Sequence, residues 1–459
     1  MNATLTAKKL QQHRVNSHRS NNGLQFFNLL TSPELFDQVE ACIPDHRERL
    51  FPPTETLSLF VAQVMSSDQS CQQIVNQAAI QKITMGLPAC STHTGAYCRA
   101  RQRLPQEMVE RLTRFIGTSL SERSPDTWRW RQRRVLLVDG TTVTMPDTEA
   151  NQSRFPQQGG QLPGLGFPIC RLVGITCLGS GALLNTAIGK FNGKGSGEQS
   201  LLRSMQESFK PGDVLIGDAF YATYFFMAEM IANGVDLVME QQGARRRSTD
   251  FRRGRRLAER DHIIEISKPR QKPDWMTEEE YAAAPASISV RECKTGGRVL
   301  VTTICDPAIH KSELGDLYKK RWQVELDIRN IKDTMGMNVL SCKTPEMAIK
   351  EVWVTLLGYN LIRLLMAQSA SLADVLPRCL SFKHCLQLWT VWCQRVPTTE
   401  IDRYLLLFEL MAQQRVGNRP GRIEPRAVKR RPKAYPLLRK PRQEARQQVL
   451  DFGHPKKLK

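Results

Sequence analysis

Residues 135–145 read VLLVDGTTVTM. Val135 to Val138 form an unbroken apolar run of strand length, Asp139 ends it, and Val143 to Met145 continue the extended pattern. Working outward, RLVGITCLGS (171–180) and ALLNTAIGK (182–190) predict two further strands joined by a Gly-Ser-Gly turn, and SGEQSLLRSMQESF (196–209) predicts a helix. DVLIGDAF (213–220) is a buried strand ending at Asp218, YFFMAEMIANG (224–234) a helix with a glycine stop, and VDLVMEQ (235–241) one more strand. Three strands, helix, strand, helix, strand is the order of an α/β layer with a mixed sheet. Asp139 and Asp218 each end an apolar strand, a placement from which two carboxylates can converge at one sheet edge. Asp213 begins its strand and Asp147 follows a proline in a loop, so both compete less well.

Residues 314–335, LGDLYKKRWQVELDIRNIKDTM, predict one helix. At about 100° per residue, Tyr318, Arg321, Glu325 and Lys332 fall on one face within about 60° of arc. Leu317, Val324, Ile328, Ile331 and Met335 form a separate apolar stripe for a core, and Lys319, Gln323, Asp327 and Asn330 fill a wet side. Taken alone, Arg321 and Glu325 at i and i+4 read equally well as an ordinary helix ion pair.

The chain has 459 residues and a formal charge of +20, from 65 Lys+Arg against 45 Asp+Glu. Such an excess suits a polyanion, because lysine and arginine displace counterions from phosphates. Eight arginines crowd 245–260, a run that repels itself unless phosphates meet it. Twelve cysteines occur without a CxxC pair, which suits neither a zinc site nor a disulfide scaffold. No run of about 18 apolar residues is present, so no membrane span is expected, and the basic, polar N-terminus is no secretory signal. A cytoplasmic, nucleoid-associated protein is the expectation. A glycosidase with paired carboxylates is disfavoured by the charge and by an aromatic content of 7%.

Six regions follow. Residues 1–130 read as a helical N-terminal DNA-binding domain: Ser32-Pro33-Glu34 opens a helix, 55–83 form two helices broken near Ser66, and a basic helix carries Arg99, Arg101 and Arg103. That helix suits a major-groove reader, or an ordinary surface helix. Residues 131–242 and 313–372 form the two parts of the α/β core, and 243–312 a β-rich insertion domain. Residues 373–414 are C-terminal helices, and 415–459 a basic, proline-rich, largely disordered tail able to lie on nucleic acid.

Asp139, Asp218 and Glu325 would repel one another unless a cation sat among them. Mg²⁺ takes such oxygen ligands, and two ions about 4 Å apart can activate water and stabilise the leaving oxygen of a phosphodiester. Arg321 and Lys332 would hold backbone phosphates alongside.

These residues resemble the IS4-type DDE transposases. Tyr318, Arg321, Glu325 and Lys332 match that family's Y-(2)-R-(3)-E-(6)-K signature in type and spacing, and VDGTT around Asp139 and IGDAFYAT around Asp218 are similar to its acidic motifs. TGAYCRARQRLP and the tail NRPGRIEPRAVKRRPKAYPLL are also similar to the family. The resemblance implies a ribonuclease-H-like catalytic core interrupted by a β-rich insertion domain. It implies cut-and-paste DNA transposition: 3′-strand nicking, hairpin formation and resolution, then strand transfer. It further implies Asp139, Asp218 and Glu325 as catalytic and metal-binding carboxylates for two Mg²⁺ ions (Mn²⁺ substituting), and Tyr318, Arg321 and Lys332 on phosphate near the cut. The partners implied are double-stranded DNA, as transposon-end inverted repeats and as target, and a second copy of the chain in a synaptic homodimer. In relatives an insertion-domain Trp stacks on a flipped base; Trp275 is the candidate in this chain, or else a Trp packed inside the insertion, with Met276 and Arg298 as lesser candidates. Two other readings remain: a ribonuclease-H-like nuclease without strand transfer, and an inactive, DNA-binding inhibitor derived from a transposase.

Overall fold

The computed structural model describes residues 24–43, 50–88, 90–193, 195–395, 401–417 and 438–453. One nine-stranded mixed sheet runs through it, in the order β3-β2-β1-β4-β5-β9-β8-β7-β6. The first five strands are β1 (Val135–Thr144), β2 (Ile169–Cys177), β3 (Leu183–Lys190), β4 (Val214–Gly217) and β5 (Asp236–Glu240). β1, β2 and β3 are antiparallel, while β4 and β5 run parallel to β1. The parallel pairs need crossovers. These are α7 (Glu198–Arg203) and α8 (Tyr224–Ala232), which follow α6 (Glu149–Arg154) in the chain.

Among the described residues, five α-helices precede the sheet: α1 (Pro33–Glu40), α2 (Pro53–Met65), α3 (Cys71–Thr84), α4 (Gly95–Arg103) and α5 (Gln106–Glu122). The Ser32 side chain accepts from the Leu35 N–H and caps α1, and Ser70 caps α3 through Gln73. α2 and α5 share a core with the rest: Phe60, Met108, Leu112 and Ile116 pack in one cluster with Val143, Leu172, Trp353 and Leu357. The last two belong to the longest helix, α13 (Pro345–Leu372).

The segment expected as a β-rich insertion domain is β-rich, and its strands extend the same sheet. After α9 (Gly243–Ser248) come β6 (Arg255–Ala258) and β7 (Asp261–Ser267), then α10 (Glu278–Ala283), β8 (Ser287–Thr295) and β9 (Arg298–Thr302). β9 pairs antiparallel with β5, Val238 opposite Thr302, and β8, β7 and β6 follow outward.

The expected single helix at 314–335 is α11 (Lys311–Lys319) and α12 (Trp322–Arg329), broken at Lys320–Arg321, with a π-helical turn over Asn330–Thr334. Its apolar stripe is buried as expected at Leu317, Val324, Ile331 and Met335. Asp327, expected on the wet side, is fully buried. It accepts from Arg363 (2.5 Å) on α13 and Arg378 (2.7 Å), and Arg378 also donates to the carbonyls of Cys177 and Leu178 at the end of β2. The helix is thereby tied to the sheet and to α13.

The C-terminal helices are α14 (Phe382–Arg395) and α15 (Ile401–Gln413). Within the stretch expected as a disordered tail, Arg442–Phe452 forms a helix, α16, and residues 418–437 lie outside the described residues. All twelve cysteines are free thiols. Among the described residues no helix is long and apolar enough to cross a membrane.

Candidate active site

β1 pairs with β2 along its whole length, from Leu136 opposite Cys177 to Thr144 opposite Ile169. Its pairing with β4 covers only Val135 to Leu137, because β4 is four residues long and ends at Gly217. Asp139 therefore lies mid-strand rather than at a strand end, at the point where its parallel neighbour has stopped. Asp218 follows Gly217 and caps a short 3-10 turn, accepting from the Phe220 N–H at 2.9 Å. Strand alternation settles which way Asp139 points. Leu136 and Val138 pack towards α7 and α8, and Val135 and Leu137 towards Leu317, Tyr318 and Val324 of α11 and α12. Asp139 shares the second face.

Glu325 comes from α12 on that face. Arg321, at the helix break, joins the two carboxylates: its Nη2 donates to Glu325 Oε1 at 2.6 Å, and its Nη1 lies 3.9 Å from Asp139 Oδ2. Lys332 comes from the π-turn and donates to Thr142 O (2.9 Å) and Thr141 Oγ1 (3.3 Å) on β1, three and two residues beyond Asp139. The Gln69 amide donates to the Met335 carbonyl at 2.6 Å, so the α2–α3 loop clasps the end of the π-turn. Tyr318 is buried, with the Arg298 guanidinium 5.9 Å from its ring centroid.

Burial pushes the Asp139 carboxyl up to about 6; Asp218 and Glu198 add to the rise, and the Gly140 N–H and Arg321 oppose it. Glu198 was not among the residues expected at this site. It opens α7 with its carboxylate against Gly140, where an added Cβ would sit 2.4 Å from Glu198 Cδ. The buried Tyr221 hydroxyl, three residues after Asp218, donates to Glu198 Oε2 at 3.3 Å. Glu198 thus touches the segments that carry both aspartates. That contact is tertiary, and the run SGEQSLL shows only a helix start.

The oxygen donors Asp139, Asp218 and Glu325 are of the type an oxygen-preferring divalent cation takes, and burial is the main reason the Asp139 carboxyl is raised. The arrangement is not closed on an ion. Among the described residues no three His, Cys, Asp or Glu side chains are grouped to hold one, and a guanidinium lies between Asp139 and Glu325.

The other expected contacts divide. Arg99 and Arg103 are exposed on one face of α4, four residues apart. Arg101 is buried: its guanidinium lies 3.9 Å from the centroid of the Phe60 ring and donates to Cys71 Sγ (2.9 Å) and Cys342 Sγ (3.2 Å). It cannot read DNA, because two residues along a helix turn it about 200° from Arg99, into the core. Trp275 is 43% exposed and packs on the opposite face of the sheet, edge-on to Phe225 of α8, with the Arg203 guanidinium 3.7 Å from its ring centroid. It is not brought to Tyr318 and Arg321. Met276 packs on that same far side. On the near side, a cavity of about 320 Å³ is lined by Thr295, Arg298, Tyr318, Lys319, Arg321 and Trp322, and Trp322 is 57% exposed. Its only mark in the sequence is its place beside Arg321.

Residues 130–361 match a family described as "Transposase DDE domain". Over 424 residues the chain is 26% identical to a protein of Escherichia coli (strain K12) named "Transposase InsG for insertion sequence element IS4", across 89% of this chain and 92% of that protein.

Proposed function

Because this chain belongs to the transposase DDE-domain family, of the IS4 type, we propose that it moves its own element by a cut-and-paste route. It nicks the 3′ strand at each end, turns the freed 3′-OH on the opposite strand to give a hairpin, opens that hairpin, and joins the 3′-OH to target DNA. The single observation that carries this reading is the meeting of Asp139 and Glu325 across one guanidinium, at the point where β4 stops and Asp218 follows. The strand order β3-β2-β1-β4-β5, antiparallel and then parallel, supports a ribonuclease-H-like core.

Divalent-metal use goes with the family. In this proposal Asp139, Asp218 and Glu325 would hold two Mg²⁺ ions, with Mn²⁺ as a substitute, and the metal would supply water activation and charge stabilisation at phosphorus. The protein's own part is positioning. Lys332, hydrogen-bonded to the β1 backbone beside the acids, fixes one phosphate, and Arg321 forks onto another. Tyr318 packs beneath Arg298 at the cavity wall. Trp322 replaces Trp275 as the stacking platform for a displaced base, since it shares the face of Arg321. Arg99 and Arg103 grip the duplex of the inverted repeat, and the arginine run at 245–260 follows the phosphate backbone. A homodimer brings the two ends together, in the nucleoid.

The test is incubation of purified protein with Mg²⁺ and duplexes carrying the inverted repeats that flank the coding sequence. Strand-specific nicks bearing a 3′-OH, hairpins and joined products are expected. Nicks without joining would instead assign a nuclease without strand transfer, and binding without cleavage an inactive inhibitor.

A further inference from the structure

The carboxylates of this site carry the charge that attracts a divalent cation, yet the space between Asp139 and Glu325 is held by the chain itself. The Arg321 side chain is 19% exposed, bonded to Glu325 at 2.6 Å and 3.9 Å from Asp139. A guanidinium there offsets the same carboxylates that a metal would. Glu325 cannot give its full charge to both, so Arg321 and the metal compete.

We propose that Arg321 is a tethered counterion that keeps the acid site closed to metal until a DNA phosphate draws it away, so that divalent cation and DNA bind this chain cooperatively. The inference rests on the assignment of Asp139, Asp218 and Glu325 to one acid site. Two observations support the exchange. Arg321 also lines the cavity of about 320 Å³, whose walls include Arg298, Lys319 and the exposed Trp322. A phosphate in this cationic recess lies within reach of the guanidinium, whose planar fork matches phosphate oxygens two at a time. The arginine also sits at the break between α11 and α12, where its N–H bonds back three residues to the Tyr318 carbonyl rather than four. Linkage makes the coupling reciprocal: the factor by which DNA raises metal affinity is the factor by which metal raises DNA affinity.

The experiment titrates the full chain with Mn²⁺ and follows free Mn²⁺ by its paramagnetic resonance, with and without a short duplex, using duplex alone as the blank. Wild-type protein is expected to bind Mn²⁺ about tenfold more tightly with DNA than without, within the usual range of coupling. Arg321→Gln is expected to bind Mn²⁺ without DNA as tightly as the wild-type complex does, and DNA then adds less than about twofold. Equal wild-type affinities with and without DNA would overturn the proposal, as would an Arg321→Gln protein that still needs DNA. The wild-type comparison needs no substitution, so it decides even if the variant does not fold. Adding Glu325→Gln to Arg321→Gln separates the two claims. If Mn²⁺ binding persists without Glu325, the acid-site assignment fails; if it disappears while wild-type protein shows no DNA dependence, only the counterion role fails.

Discussion

Burial, with Asp218 and Glu198 nearby, moves the Asp139 carboxyl from 3.8 to about 6 against the pull of Arg321. The folded chain therefore favours the protonated acid. This contribution to stability is complete below about pH 4 and is lost as pH rises through about 6. Asp139→Asn removes the cost of ionising a mostly buried group, so the variant should gain on the order of 2 kcal/mol at pH 7–8, with the gain gone near pH 4. Urea unfolding across that range checks it, and a gain that grew on acidification would rule out burial as the cause. Arg101 shows what residue-level reading misses. Its type and spacing matched Arg99 and Arg103, but the rotation of α4 buries it between the Phe60 ring and two sulfurs. Arg101→Ala should lower the melting temperature through lost packing. Arg99→Ala with Arg103→Ala should leave melting unchanged and weaken binding to inverted-repeat DNA, as read by gel shift.

The segment 311–334 shows where element-scale reasoning succeeds and stops. The apolar stripe was legible because burial of Leu317, Val324, Ile331 and Met335 follows helical periodicity. The break at Lys320–Arg321 was not, since neither residue is a glycine or proline; nor was the π-turn. Asp327 looked solvated because its partners Arg363 and Arg378 lie 36 and 51 residues away. Asp327→Asn leaves two arginines with a neutral partner in a dry place and should cost about 3 kcal/mol. It should also lower the nicking rate by loosening α12, which carries Glu325. Gly140 is the parallel case on β1. An alanine there would displace the Glu198 carboxylate, whose Cδ would lie 2.4 Å from the new Cβ. Gly140→Ala should cut the nicking rate while leaving DNA affinity intact, and an unchanged rate would show that Glu198 plays no part.

Across the whole molecule, β1 to β5 were legible in order and type because each is an apolar run bounded by turns. The joining of β9 to β5 was not, because a pairing across about sixty residues leaves no local trace. The candidate site divides the same way: Asp139, Asp218 and Glu325 are proposed from the sequence, although Asp139 lies mid-strand, whereas Glu198 and Trp322 gain meaning only from the fold. The charge of +20 makes one further claim at this scale. Arg252 and Arg253 are largely exposed and share Asp250, and Arg255 and Arg256 are exposed on the edge strand β6. Replacing these four with glutamine should reduce the slope of log affinity against log salt by about 3.6, with each meeting one phosphate of duplex DNA.

The central claim is that Asp139, Asp218 and Glu325 act as one acidic site on DNA. Its most direct test is single-turnover nicking of inverted-repeat DNA in Mg²⁺ by wild type, Asp139→Asn, Asp218→Asn and Glu325→Gln, with DNA affinity measured on the same preparations. The account predicts that each substitution lowers the nicking rate by at least about a thousandfold while affinity stays within about threefold. A Glu325→Gln protein that nicks at the wild-type rate would contradict it.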